Sequence, residues 1–446
     1  MNRMHGSPTA LLTRAALAAS LCAALVAPAH AAKLALVGGT IHPVTGAVIE
    51  RGSILIDGER ITAVGANLAT PTDATVIDCT GKHVYPGLIS ANTQLGLIEI
   101  STIEGANDTQ EAGSVNPNIR AEVMLNPDSD FLPVARIQGV TSALIVPGGG
   151  TIHGTSALMH LEGWTHEDMT VKAPVGLHVD WPNMSPQRGF FVRQSDEEQA
   201  KARDAAVQAI RDAFETAKAY ERAKSAEGKP GVPKHDQDFR WDAMRAVVRG
   251  EVPVYFHASA LAQLHSVVKF IDEQGLKKCV IVGGRDADLI ADELKARDIA
   301  VIVAGTLEMP PRRSDPYDQA FTLPVRLAQA GVRYCIADQG GGFNAANVRN
   351  LGHHAAMAAA FGLSKDEALK AITLYPAQIL GAGDQLGSIE VGKIADLQIT
   401  DGDPLELTTK VTQVILDGRA ISMKSRQTRL FEKYDSKPRG THARKR

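Results

Sequence analysis

Between residues 140 and 374 the chain repeats one alternation, and that repeat limits the possible folds more than any other feature. Short, almost wholly apolar runs (Val140–Val146, Pro174–Val179, Val252–Phe256, Cys279–Val282, Ala300–Ala304, Val332–Ala337) are separated by segments of helical character. The helical segments include Ala260–Gln274, Asp286–Arg297, Asp318–Ala330, Ala345–Phe361 and Lys365–Leu374. A strand that is apolar on both faces must be covered on both, which a parallel sheet wrapped in helices achieves. Seven or eight such units predict a closed (β/α)8 barrel of the TIM type, an α/β fold. An open, doubly wound sheet is the alternative. It is weakened because no Gly-x-Gly-x-x-Gly turn follows an early strand, and Gly148-Gly149-Gly150 matches one only loosely.

The two ends follow another pattern. Short β-branched runs flank Asp57-Gly58 near the start and Asp417-Gly418 near the end, and Asp-Gly between such runs signals a hairpin. These ends predict one small composite β-sandwich domain, residues 33–83 plus 382–425, with the barrel spanning 84–381. One insertion breaks the barrel rhythm. Ser195 to Glu198 form a capping box that opens a charged helix through Ala226, with Val207, Ile210, Phe214 and Ala217 on one face. That face is expected to pack on the barrel exterior; a lid or a subunit contact is the alternative.

Residues 1–31 read as a secretory leader. Arg3 and Arg14 precede the apolar run Ala15–Val26, and Ala29-His30-Ala31 offers a cut after Ala31. The run is too short to span a bilayer, so no membrane span is expected and the address is periplasmic or secreted. Removing the leader leaves Cys79, Cys279 and Cys335, an odd number set among apolar residues and expected to be buried thiols. Nine Lys or Arg against Glu432 and Asp435 make Lys424–Arg446 basic, while the body before it is acidic. With few aromatic residues as well, the chain is not expected to bind nucleic acid. The tail over 426–446 is expected to be solvated.

Several landmarks together resemble the amidohydrolase superfamily, most nearly its imidazolonepropionase-like branch. Val84-Tyr-Pro-Gly-Leu-Ile89 resembles the entry into that barrel, and Gly387-Ser-Ile-Glu-Val-Gly-Lys-Ile-Ala-Asp-Leu397 the exit from it. Tyr375-Pro376-Ala377, Gly381, Asp401-Gly-Asp-Pro404 and the loop Pro310–Tyr317 lie at matching spacings. The resemblance covers roughly Lys33 to Ile421. It implies one or two divalent metals at the barrel mouth, held by His-x-His after strand one, His after strands five and six, and Asp after strand eight. Some members add a carboxylated Lys on strand four.

This chain keeps only part of that set. The first pair reads Asn92-Thr93-Gln94, and the strand-six position is Gly283-Gly284. His257 and Asp338 are intact, and His178 stands where strand four ends. Amide oxygens hold zinc poorly, so a two-metal mechanism is not expected. The resemblance then implies either a single divalent ion, zinc by ligand type, on His178, His257 and Asp338, or no metal at all. Without metal, Asp338 would be the general base and His257 the acid. Asn92, Gln94 and Arg312 are candidates for the substrate pocket, with Arg312 able to fork a carboxylate. The implied activity is hydrolysis of a non-peptide or short peptide-like C–N bond in a small amide-like molecule. The competing reading is a catalytically silent barrel that binds a ligand or partners a second copy or a related barrel. His153, His160 and His166 are expected in loops, and His353 and His354 on a helix surface.

Overall fold

The computed structural model describes residues 33–189 and 192–437; the leader over 1–31 and the end of the basic tail lie outside them. From the start of the described chain come β1 (Lys33–Ile41), β2 (Ile49–Asp57), β3 (Arg60–Ala66), β4 (Thr75–Asp78) and β5 (His83–Pro86). Asp57 pairs with Arg60, so the first hairpin turns on Gly58 and Glu59, one residue later than Asp-Gly suggests. Gly58 takes the left-handed conformation there (φ +60°).

The chain then enters the barrel sheet. Its strands are β6 (Leu88–Thr93), β7 (Val140–Ile145), β8 (Ile152–His160), β9 (Thr170–Asp180), β10 (Val254–Ala258), β11 (Cys279–Gly283), β12 (Ala300–Ala304) and β13 (Tyr334–Ala337), adjacent in that order. The Ser90 hydroxyl on β6 donates to Asp338 just past β13, which brings the first and last strands together and nearly closes the sheet. Neighbours are parallel with one exception: β8 runs antiparallel to both β7 and β9. An antiparallel strand needs no crossover helix, and short turns suffice on either side. Gly154, Thr155 and Ser156 break the apolar run of β8, so the alternation does not reveal it.

After the barrel, β14 (Leu397–Thr400), β15 (Val411–Leu416) and β16 (Arg419–Ala420) complete the first sheet. β14 pairs antiparallel with β5, joining the two chain ends in one β-structure. Here the turn does lie at Asp417 and Gly418, with φ of +53° and +71°, as the tight primed turn demands.

The helix Asp196–Ala226 carries both halves of its capping box. Val207, Ile210, Phe214 and Ala217 are buried in one cluster with Trp181, Phe256 and Phe270, so its apolar face lies against the barrel. Phe214 meets Phe270 edge to face at 5.3 Å. Arg245 and Arg249 of the next helical stretch bond Glu221 on the same helix. Cys79, Cys279 and Cys335 are buried free thiols. The described part of the basic tail forms a helix, Arg426–Asp435, whose Arg426 and Arg429 reach Asp130. Among the described residues no helix is long and apolar enough to cross a membrane.

Candidate functional site

Strand register assembles the site. Because β8 is reversed, its first residues lie at the end of the barrel where the parallel strands finish. Ile152 pairs with Val179 and Gly154 with His178. On the other side Tyr255 pairs with His178 and His257 with Asp180. His153, His178, Asp180 and His257 therefore converge from three neighbouring strands at the mouth, where barrel enzymes place their chemistry. Asp180 and His257 border a cavity of about 580 Å³ that also touches Asn92, Gln339 and Ala206 of the long helix.

The hydrogen bonds fix how each ring faces. His153 Nδ1 lies 3.1 Å from the Pro147 carbonyl oxygen, which can only accept, so this nitrogen carries the proton. The lone pair is then on Nε2, 3.2 Å from Asp180 Oδ2. The His257 Nδ1 lies 4.0 Å from Asp180 Oδ1, and its Nε2 is 2.8 Å from His178 Nδ1. Among the described residues, His153, Asp180 and His257 are the group of ligating side chains whose donor atoms all fall within 4.8 Å of one another.

This donor set fits a divalent cation. Two imidazoles and a carboxylate with a position left open is a catalytic zinc arrangement. His153 Nε2 is buried without a hydrogen-bond partner, and a lone pair facing a carboxylate is repulsive until a cation or proton sits between them. Protonation states agree. Burial holds the His257 imidazole down to about 4, with His153 adding to the effect and Asp180 opposing it. Burial also pushes His178 well below the usual range, helped by His257 and His153. Burial raises the Asp180 carboxyl, but the hydrogen bond that His153 would donate when protonated and the positive charge His257 and His153 would then carry outweigh it and leave it low, a pull that a bound cation would supply in their place. Neutral imidazoles and an ionised carboxylate are the forms a metal binds.

The other candidates fall in different places. His178 is fully buried, bonded to His257 and stacked 4.8 Å from Tyr255, so it supports a ligand and is outside the cluster. Asp338 is also outside it. Its Oδ1 accepts from Ser90 at 3.2 Å, its buried Oδ2 has no partner, and burial pushes its carboxyl up to about 7. Asn92 does line the cavity, its amide packed so tightly on Gly340 (φ +66°) that a side chain there would collide with it. Gln94 lies against Gly148 and Gly342 instead.

Arg312 is not a free fork for substrate. Its guanidinium grips both oxygens of the buried Asp286, at 2.9 and 2.7 Å, and Asp315 besides. Two histidine readings also change. His160, at the far end of β8, is buried and 3.1 Å from Asp396, while His354 is buried and accepts from the Thr306 backbone at 3.0 Å. The residues that sequence reading missed are His153 and Asp180. One signal was available for Asp180: His178-x-Asp180 places both at strand period two, on one face.

Comparison with known proteins agrees with this barrel. The amidohydrolase family model matches residues 134–421. The amidohydrolase tasK of Hapsidospora irregularis is 25% identical over 413 residues, covering 83% of this chain but 40% of that longer protein. An imidazolonepropionase of Brucella anthropi is 25% identical over 396 residues, covering 82% of this chain and 90% of its own. The crystal structure of an amidohydrolase from Thermotoga maritima MSB8 superposes with a TM-score of 0.77 at 26% identity, covering 88% of this chain and 100% of that one. A match running from just before β7 to the end of β16, on a barrel with this mouth, makes the chain a member of the amidohydrolase family.

Proposed function

We propose that this protein hydrolyses a non-peptide or short peptide-like C–N bond in a small amide, using one divalent ion, zinc by ligand type, on His153, Asp180 and His257. The observation that carries it is the convergence of those three donors at the barrel mouth. The amidohydrolase and imidazolonepropionase relatives support the bond class. Bound there, such an ion acidifies water and polarises a carbonyl.

The protein's own groups supply the rest. The Pro147 carbonyl holds His153 with its Nε2 toward Asp180, and His178 holds the ring of His257, as partners of ligating imidazoles do. Asp338, buried and with a pKa near 7, takes a proton from the attacking water and returns it to the leaving nitrogen. Asn92 offers amide hydrogen bonds to the substrate from the cavity wall. In this reading the mature protein works outside the cytoplasm, after a cut behind Ala31.

A silent barrel is the second reading, favoured by Asn92 and Gly283 where imidazoles are expected. Metal analysis of the purified protein, beside a panel of amides, lactams and dipeptides, separates the two. Stoichiometric zinc that disappears in Asp180→Ala, together with turnover, supports the hydrolase. Metal-free protein that turns over nothing after zinc is supplied sinks it.

A further inference from the structure

A smaller cavity of about 230 Å³ adjoins the mouth and shares Ser259, Gly283, Ala304 and Gln339 with it. Met309, Pro310 and Leu323 give it an apolar side, and Arg285, Glu308 and Gln319 a polar one. Arg285 comes just after β11, in the Gly-Gly-Arg that replaces the expected imidazole.

Other arginines nearby are committed. Arg312 holds Asp286 and Asp315, and Arg326 holds Asp288 at 2.8 Å. Arg285 is held more loosely: its Nε makes only a long ion pair with Asp286 Oδ1 at 3.6 Å, beyond hydrogen-bond range, is buried without a hydrogen-bond partner, and shares its charge with Glu308. Asp286 comes no nearer to it, because both its oxygens accept from Arg312, Oδ2 also from the Leu261 backbone and Oδ1 also from Gln319 Nε2. In the same cavity Gln319 Oε1 is buried and unpartnered too. A guanidinium N–H left unpaired in a covered site is costly, and so is an orphaned amide oxygen. An orphaned donor and an orphaned acceptor on the wall of one cavity, beside the reacting centre, are complementary to a group that brings both partners.

The geometry points to this cavity as the specificity subsite of the hydrolase proposed above, taking a substrate carboxylate on Arg285 and a substrate N–H or O–H on Gln319 Oε1. Glu308 sets the charge limit. An acid already in the cavity repels a dianion such as a phosphate monoester more than a single carboxylate. The apolar side accommodates the short arm that joins the carboxylate to the amide.

The test uses matched pairs, N-acetyl amino acids and dipeptides against their C-terminal carboxamides, with full-length wild type, Arg285→Gln and Arg285→Lys. Charge-assisted hydrogen bonds of this kind predict a preference of about tenfold or more in kcat/KM for the free carboxylates. The preference should fall toward parity in Arg285→Gln and be partly kept in Arg285→Lys. Because the ratio is taken within one protein, partial misfolding does not imitate the effect. If nothing in the panel is turned over, calorimetric binding of the same pairs reads the subsite separately. Carboxylates that bind about tenfold more tightly than carboxamides, and lose this in Arg285→Gln, uphold the subsite even where the hydrolase reading fails. Equal handling of each pair by wild type, no binding of either form, or a preference that survives in Arg285→Gln overturns it.

Discussion

His153 and Asp180 face each other across two strands, Nε2 to Oδ2 at 3.2 Å, with the other ring nitrogen of His153 tied to the Pro147 carbonyl. A pair so arranged is poised to share a cation. His153→Ala is expected to weaken zinc binding by about 100-fold or more, and His178→Gln, which removes only the support of His257, by about 10–100-fold. Titration against a competing chelator measures both. Wild-type affinity in His153→Ala would remove this cluster as the metal centre.

Asp338 should govern the pH dependence. With its carboxyl pushed up to about 7, kcat/KM is expected to rise with pH through that value, and Asp338→Asn to lower kcat by about 10²–10⁴-fold. Stability should move the other way. A folded-state pKa above the ordinary 3.8 means that the protonated form stabilises the fold fully below 3.8 and that this contribution is lost as pH rises through 7. Metal-free Asp338→Asn, which cannot ionise, should therefore exceed wild type above pH 7 by about 2–4 kcal/mol in urea unfolding. A constant difference between pH 5 and 8 contradicts this.

The buried histidines predict acid sensitivity. Burial holds His257 and His354 down to about 4, against 6.5 when free. An unfolded chain takes up these protons first, so stability present above pH 6.5 is lost as pH falls toward 4. Melting temperature against pH checks the window, and His354→Gln should flatten part of the slope.

The clamp between Arg312 and Asp286 is expected to be structural. Asp286 has no exposed surface and also caps the Leu261 backbone, so Asp286→Ala should cost about 3–5 kcal/mol of unfolding free energy. Denaturant unfolding measures this, and a cost within the error of the method would make the clamp ornamental.

Much of the architecture is written locally. Continuous apolar runs announce β7, β10, β11, β12 and β13 because each is covered on both faces, and Asp417-Gly418 marks its turn because few residues accept two left-handed conformations in a row. The long helix is equally legible, since Ser195 and Glu198 satisfy its first amides within a single turn and its buried face recurs at helical period. The strand ends that carry His257 and Asp338 follow from the same pattern. The geometry of the candidate site does not. His153 reaches the mouth because β8 runs backwards, and a strand's direction is set by its pairing with β7 and β9, far along the chain. Arg312 and Arg285 stand on neighbouring loops as similar cations, yet Asp286 hydrogen-bonds the first and holds the second only by a long ion pair. Propensity and periodicity act over a few residues, so the elements can be read from composition and order. Which side chains share a proton, a cation or a substrate depends on register and burial between distant segments, and those exist only once the chain has closed on itself.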